Sequence, residues 1–262
     1  MLKNFLAKYI PFIKFATTNF LDILMNTIEV CLSTDLFKCY DPKGKVVVVV
    51  DVLRATSVIC TMMHNGVKEI IPVKTIEEAK SYKEKGYLVV AERNGQKLDF
   101  ADFGNSPYFF TRDVVEGKTI VYSTTNGTNA INVGQEADEI IIGSFLNLSA
   151  LIDHLKKQSK DILILCSGWK GKFCIEDTIL AGAISQNLID KYGYTTNCDS
   201  VFASIDIWSL AKVDLKAYIE KAAQRHRLKK LGLDDVIGYC FSKDVTSIIP
   251  ILHNGRIIPF SK

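Results

Sequence analysis

Five consecutive valines, Val46 to Val50, constrain this chain more than any other stretch of it. A strand with one face in water alternates apolar and polar residues. An unbroken apolar run needs cover on both faces, as in a parallel sheet flanked by helices. Similar runs recur, giving strand candidates at 27–32, 45–51, 69–73, 87–91, 118–123, 138–142 and 161–166. Helical patterns lie between them. Ala55, Val58, Ile59, Met62 and Met63 form a stripe at helical spacing, and Asn65-Gly66 supplies a stop. Thr75 with Glu78 three residues on reads as a capping box opening a helix over 75–85. Further helices are expected near 126–134, 146–157 and 174–191. This alternation predicts a layered α/β/α fold with a mostly parallel central sheet and right-handed crossovers.

The pattern changes near residue 198. The expected organisation is an N-terminal extension over 1–26, an α/β core with the active-site loops over 27–197, and a mainly helical part over 198–262. That last part holds two short strands, "SIIPIL" and "RIIPF", and is expected to act as a cap or second lobe. In the extension, Lys8, Pro11, Lys14 and Asp22 interrupt the apolar run too often for it to span a bilayer. No small-residue cleavage site closes it, so it does not read as a secretory signal. The folded unit is expected to start near Thr27.

A net charge of +3, with the cations dispersed, excludes a dedicated nucleic-acid binder. The one basic cluster, "RHRLKK" at 225–230, reads as a solvated helix face. Seven cysteines without a C-x-x-C pair argue against a disulfide framework and a zinc ribbon, and for a reducing, cytoplasmic setting.

In open α/β sheets, ligands bind beyond the carboxyl ends of the strands. Here those junctions are polar. The valine run empties into Asp51, Arg54, Thr56 and Ser57, and the run at 87–91 into Glu92 and Arg93. "TTNGT" supplies Thr124, Thr125, Asn126 and Gly127, and "SGWKGKFCIED" supplies Lys170, Gly171, Glu176 and Asp177. A further loop carries Asp102, Asn105 and Ser106. Hydroxyls, cations and helix N-termini together suit an oxyanion, phosphate above all. Carboxylates among them fit a hard cation between protein and phosphate, and Mg²⁺ is commonly held by one or two carboxylates plus substrate oxygens. Each group also has a plainer use. Asp51, Thr56 and Ser57 could cap a helix. Glu176 and Asp177 suit a helix's first turn, "TTNGT" a turn, and Trp169 the core. No dinucleotide-binding, P-loop or nucleophile-elbow motif appears.

Taken together, "VVVVVDVLRATSV", "AERNG", "DFGNSP", "TTNGT", "GSFLN", "SGWKGKFCIEDT" and "LGLDDVIGYC" resemble the 2-phosphosulfolactate phosphatase (ComB) family, in order from about Thr27 to about Pro259. The resemblance implies a Mg²⁺-dependent phosphatase that converts (R)-2-phospho-3-sulfolactate to 3-sulfolactate and phosphate in coenzyme M biosynthesis. Lys172 and Arg227 depart from the family pattern, which has Arg and Gly there. The implied substrate carries a charge of about −4 at neutral pH. The alternatives are a phosphatase of another small 2-phospho acid and a non-catalytic binder of anionic metabolites. The partner is thus a small phosphorylated or sulfonated anion rather than nucleic acid or membrane; a homo-oligomer is compatible with this.

The expected catalytic residues are Asp51, Arg54 and Glu176. The expected metal ligands are Asp51, Glu92, Asp102 and Asp177. Substrate contacts are expected from Thr56, Ser57, Arg93, Asn105, Thr124, Thr125, Asn126, Gly127, Lys170 and Gly171. The attacking group stays open between Asp51 as nucleophile and a water on a metal held by Asp51 or Glu176. Cys166 and Lys172 are spaced like the C-x₅-R of cysteine phosphatases, but a buried inert thiol is the better reading.

Overall fold

The computed structural model describes residues 25–260; most of the expected extension, residues 1–24, lies outside them. The strands are β1 (Ile28–Cys31), β2 (Val46–Val50), β3 (Glu69–Pro72), β4 (Leu88–Arg93), β5 (Gln96–Lys97), β6 (Thr119–Ser123), β7 (Glu139–Gly143), β8 (Ile162–Cys166), β9 (Pro250–His253) and β10 (Arg256–Pro259). The helices that position the site are α1 (Ala55–His64), α2 (Ile76–Glu84), α3 (Arg112–Val115), α4 (Gly127–Val133), α5 (Leu148–Leu155), α6 (Ile175–Tyr192), α7 (Asp199–Ala211), α8 (Leu215–Ile219), α9 (Ala223–Lys230) and α10 (Ile237–Cys240). Every core strand expected from the apolar runs is present.

One ten-stranded sheet runs in the order β1-β8-β2-β7-β9-β10-β3-β6-β4-β5. β1, β8, β2 and β7 are mutually parallel, as are β3, β6 and β4. The late strands do not stand apart from this sheet. The β9–β10 hairpin is wedged between its two parallel halves, antiparallel to β7 on one side and to β3 on the other.

Three successive antiparallel pairings mean that the two halves run in opposite senses. In a flat sheet, their carboxyl ends would lie on opposite rims. The joins are narrow, however: two residue pairs link β7 to β9, and one links β10 to β3. The sheet curls there around α1. One apolar cluster contains Val47, Val49, Ile140 and Leu163 from one half, Ile120, Tyr122 and Val90 from the other, and Val58, Ile59, Met62 and Met63 of α1 between them. Every residue of α1 from Ala55 to Met63 is buried, polar ones included, because the helix has sheet on more than one side. The outer face of the first half packs on α5, α6 and α7, and that of the second on α2. The curl brings the ends of β2, β4 and β6 together.

Candidate active site

Asp51 directly follows β2 and lies four residues before the start of α1. Its Oδ1 accepts the Ala55 N–H at 3.1 Å, and its main-chain oxygen accepts the Thr56 N–H at 3.0 Å. One carboxylate oxygen therefore caps the helix, and Oδ2 is left for other work. The Thr56 hydroxyl donates to the Asp51 carbonyl, and the Ser57 hydroxyl donates to the Val52 carbonyl and lies 3.2 Å from the Ser144 hydroxyl. Both hydroxyls thus hold the turn that aims Asp51, and neither lines the pocket.

The pocket is lined by Asp51, Leu53 and Arg54 from the β2 loop, Glu92 and Gly95 from the β4 end, Asn105, Thr124 and Asn126, Trp169, and Gln224 from α9. Its volume is about 20 Å³, room for roughly one water. A larger hollow of about 540 Å³, lined by residues such as Ala150, His154, Ile249 and Phe260, contains none of these strand-end groups.

Two groups in the small pocket are out of balance. Arg54 is only 4% exposed; one terminal nitrogen reaches the Gly95 carbonyl at 3.4 Å, while Nη1 is buried without a partner. Burial holds its pKa below the usual guanidinium value. Asp51 is pushed up to about 7, chiefly by burial, with like-charge repulsion from Glu92 and Glu176 adding and the Ala55 N–H and Arg54 opposing. An unpartnered buried cation beside a carboxylate that resists ionisation marks a site awaiting a charged ligand.

The other expected residues sort by what they already bind. Glu92 accepts N–H groups from Thr125 and Gly95, both at 2.6 Å, and the Thr125 hydroxyl at 3.1 Å. Asp177 accepts the Val52 N–H at 2.9 Å and the Gly168 N–H at 3.1 Å, tying the β2 loop to the β8 loop. Both carboxylates are occupied in shaping loops. Asp102 stands apart, holding Lys83 and the Val89 N–H at the start of β4. Arg93 is spent on the Glu92 and Lys74 carbonyls and the Ser123 hydroxyl. Glu176, by contrast, has as carboxylate partners its own N–H and the Cys174 thiol; burial raises its pKa, opposed by these bonds and by the charge of Arg227.

Thr124 and Thr128 cap each other across the "TTNGT" turn, each hydroxyl accepting the other's N–H at 3.1 Å. Asn126 Oδ1 accepts the Lys170 N–H at 3.1 Å, joining this turn to the β8 loop. In that loop Trp169 and Lys172 exchange two main-chain hydrogen bonds, a tight reversal in which Lys170 and Gly171 adopt positive φ. A Cβ on Gly171 would fall 1.9 Å from Asp35 Oδ2. The reversal presents Trp169 to the pocket rather than to the core. Lys172 is exposed and Lys170 reaches back over the Trp169 ring, 5.7 Å from its centroid. Gln224 gave no sequence signal, since an amide on a basic helix has no motif. Its Nε2 donates to the Leu53 carbonyl at 3.1 Å.

Five loop segments and α9 thus meet over one cavity, and comparison with known proteins decides the family. The pattern of the 2-phosphosulpholactate phosphatase family matches residues 31–255. The chain belongs to that family. By that membership it is a phosphoric monoester hydrolase. It is similar to proteins named probable 2-phosphosulfolactate phosphatase from three bacteria. The one from Clostridium acetobutylicum is 38% identical over 234 residues, covering 88% of this chain and 99% of that protein. The one from Caldanaerobacter subterraneus subsp. tengcongensis is 39% identical over 221 residues, covering 83% and 91%. The one from Thermotoga maritima is 40% identical over 222 residues, covering 84% and 94%.

Proposed function

We propose that this pocket hydrolyses the phosphate monoester of (R)-2-phospho-3-sulfolactate, giving 3-sulfolactate and phosphate, with Mg²⁺ and as a cytoplasmic step of coenzyme M biosynthesis. The observation that carries the reading is Arg54 Nη1, buried and unpartnered beside Asp51. A guanidinium so placed matches phosphoryl oxygens, and its interaction strengthens in a site that excludes water. Seven free thiols among the described residues fit a reducing compartment.

Arg54 binds the phosphate, with Thr124, Asn126 and Asn105 lining the same cavity. Tyr122 donates its hydroxyl to Asn105 Oδ1, which leaves the Asn105 amide N–H₂ as donor to the ligand. Asp51 Oδ2 stands among these groups. From there a carboxylate attacks phosphorus, displacing the hydroxy-acid oxygen and leaving an acyl phosphate that water then hydrolyses, or takes a proton from the attacking water as the ester oxygen leaves; either role requires the ionised form.

The donor set fits Mg²⁺. Among the described residues no group of three or more His, Cys, Asp or Glu could hold a metal ion. Mg²⁺ needs only one or two carboxylates when substrate oxygens complete its shell. Glu92 and Asp177 are committed to N–H groups, so Asp51 and Glu176 would hold it. There it would neutralise the carboxylates that repel an anionic substrate and polarise the phosphoryl oxygens.

Phosphate release by the full chain from 2-phosphosulfolactate, with MgCl₂ and then with EDTA, tests this. Release with Mg²⁺ that stops in EDTA and returns with added Mg²⁺ is expected. Binding without release would make the protein a sensor instead.

A further inference from the structure

The chain has six arginines. Three meet carboxylates: Arg112 with Glu116, Arg225 with Glu220 and Asp234, and Arg256 with Glu69. Arg93 is consumed by two carbonyls and a hydroxyl. The remaining two, Arg54 and Arg227, have no ion-pair partner among the described residues; Arg54 lines the pocket, and Arg227 touches two residues that line it.

Arg227 sits on α9, half-buried. Its guanidinium carbon lies 4.5 Å from the centroid of the Trp169 ring, and its Nε donates to Gln224 Oε1 at 2.6 Å. Trp169 and Gln224 both line the pocket, and Gln224 is itself fixed to the Leu53 carbonyl. The ring contact and the Nε bond hold the guanidinium from two sides. The two terminal nitrogens are left without a hydrogen-bond partner among the described residues. A preoriented fork of this kind suits a two-oxygen contact with a carboxylate or sulfonate. Lys170 Nζ, over the same indole, adds a second positive charge.

The charges are sorted by depth. Asp51 and Glu92 line the cavity, and Glu176 acts on Asp51 electrostatically, so a second anionic group of the ligand is repelled from there. The two positive charges held on the Trp169 ring, Arg227 and Lys170, attract it.

We propose that Arg227 is the specificity-determining residue that holds the second acidic group of a phosphorylated hydroxy acid whose phosphate lies on Arg54. This rests on the phosphatase reading above for the position of the phosphate.

The test compares the wild type with Arg227→Gln and Arg227→Lys in MgCl₂ buffer, after melting curves show all three folded. Calorimetry measures binding of 3-sulfolactate and of inorganic phosphate. Kinetics compare 2-phosphosulfolactate with isopropyl phosphate, which has no second acid. Losing a charge-assisted contact should weaken 3-sulfolactate binding in Arg227→Gln by roughly 10- to 100-fold and raise KM for 2-phosphosulfolactate similarly, while inorganic phosphate and isopropyl phosphate change by less than about twofold. Arg227→Lys should recover part of the loss. Equal losses on all four ligands, no loss on any, or a wild type that does not bind 3-sulfolactate would overturn the assignment. A wild type that binds 3-sulfolactate through Arg227 yet releases no phosphate would overturn the phosphatase reading alone.

Discussion

Gly127 and Asp51 meet across the curl of the sheet: a Cβ on Gly127 would fall 3.0 Å from Asp51 Oδ2 and 2.3 Å from the Ala55 Cβ. The first residue of α4 thus packs on the first turn of α1 with no side chain between them. That contact brings the end of β6 against the end of β2.

Gly127→Ala should force the two helix starts apart. Overpacking of this kind costs about 1–3 kcal/mol, and it acts on the Asp51 carboxylate directly. The expected outcome is a lower melting temperature together with a lower kcat. An unchanged kcat would show that the Asp51 geometry tolerates the shift.

Asp51 carries a pH signature in the metal-free protein. Its ordinary pKa of 3.8 rises to about 7 in the fold. The folded state therefore holds this proton more tightly than the unfolded chain does. Stability falls as pH rises between those two values, and the full cost of burying the charge stands above pH 7. Asp51→Asn removes that cost. In EDTA, the variant's melting temperature should exceed the wild type's by a few degrees more at pH 8 than at pH 5.5, taking roughly 2–4 °C per kcal/mol for a chain of this size. Mg²⁺ should narrow the gap at pH 8 by stabilising the wild type. An identical difference at both pH values would show that Asp51 ionises normally.

The core strands were legible because unbroken apolar runs have few other uses, and the polar strand ends could be read for the same reason. What the runs could not give was strand order. β9 and β10 are four-residue strands bounded by Pro250 and Pro259, and nothing local says they enter the middle of the sheet. The curl follows from that insertion, so the sequence could not show that α1 is covered on several sides. At the site, residue type alone did not separate Asp51 from Glu92 or Asp177. All three are buried carboxylates near strand or helix ends, and only the hydrogen bonds of Glu92 and Asp177 reveal that their oxygens are occupied. Asp102 read as a ligand because it is a carboxylate in the same polar loop as Asn105 and Ser106; in the fold Asn105 reaches the pocket, while Asp102 is held by Lys83. Arg227 stood out in the sequence only as a departure from the family pattern, and Gln224 not at all, because only the fold shows that their side of a basic helix meets Trp169.

Cys166 lies wholly buried at the end of β8, and burial pushes its thiol far above the ordinary value. A thiol in that state is inert. Iodoacetamide should modify exposed Cys39 first, and Cys166→Ser should keep phosphate release within about twofold of wild type, as expected for a packing thiol. Loss of activity in Cys166→Ser with an intact fold would reinstate the thiol as the attacking group.

The most direct measurement is the kcat for phosphate release from 2-phosphosulfolactate by Asp51→Asn, in saturating Mg²⁺ at pH 8. Removing the charged oxygen beside Arg54 should lower kcat by about 10²-fold or more, with the fold intact. Turnover near the wild-type value would remove Asp51 from the chemistry and move the reaction away from this pocket.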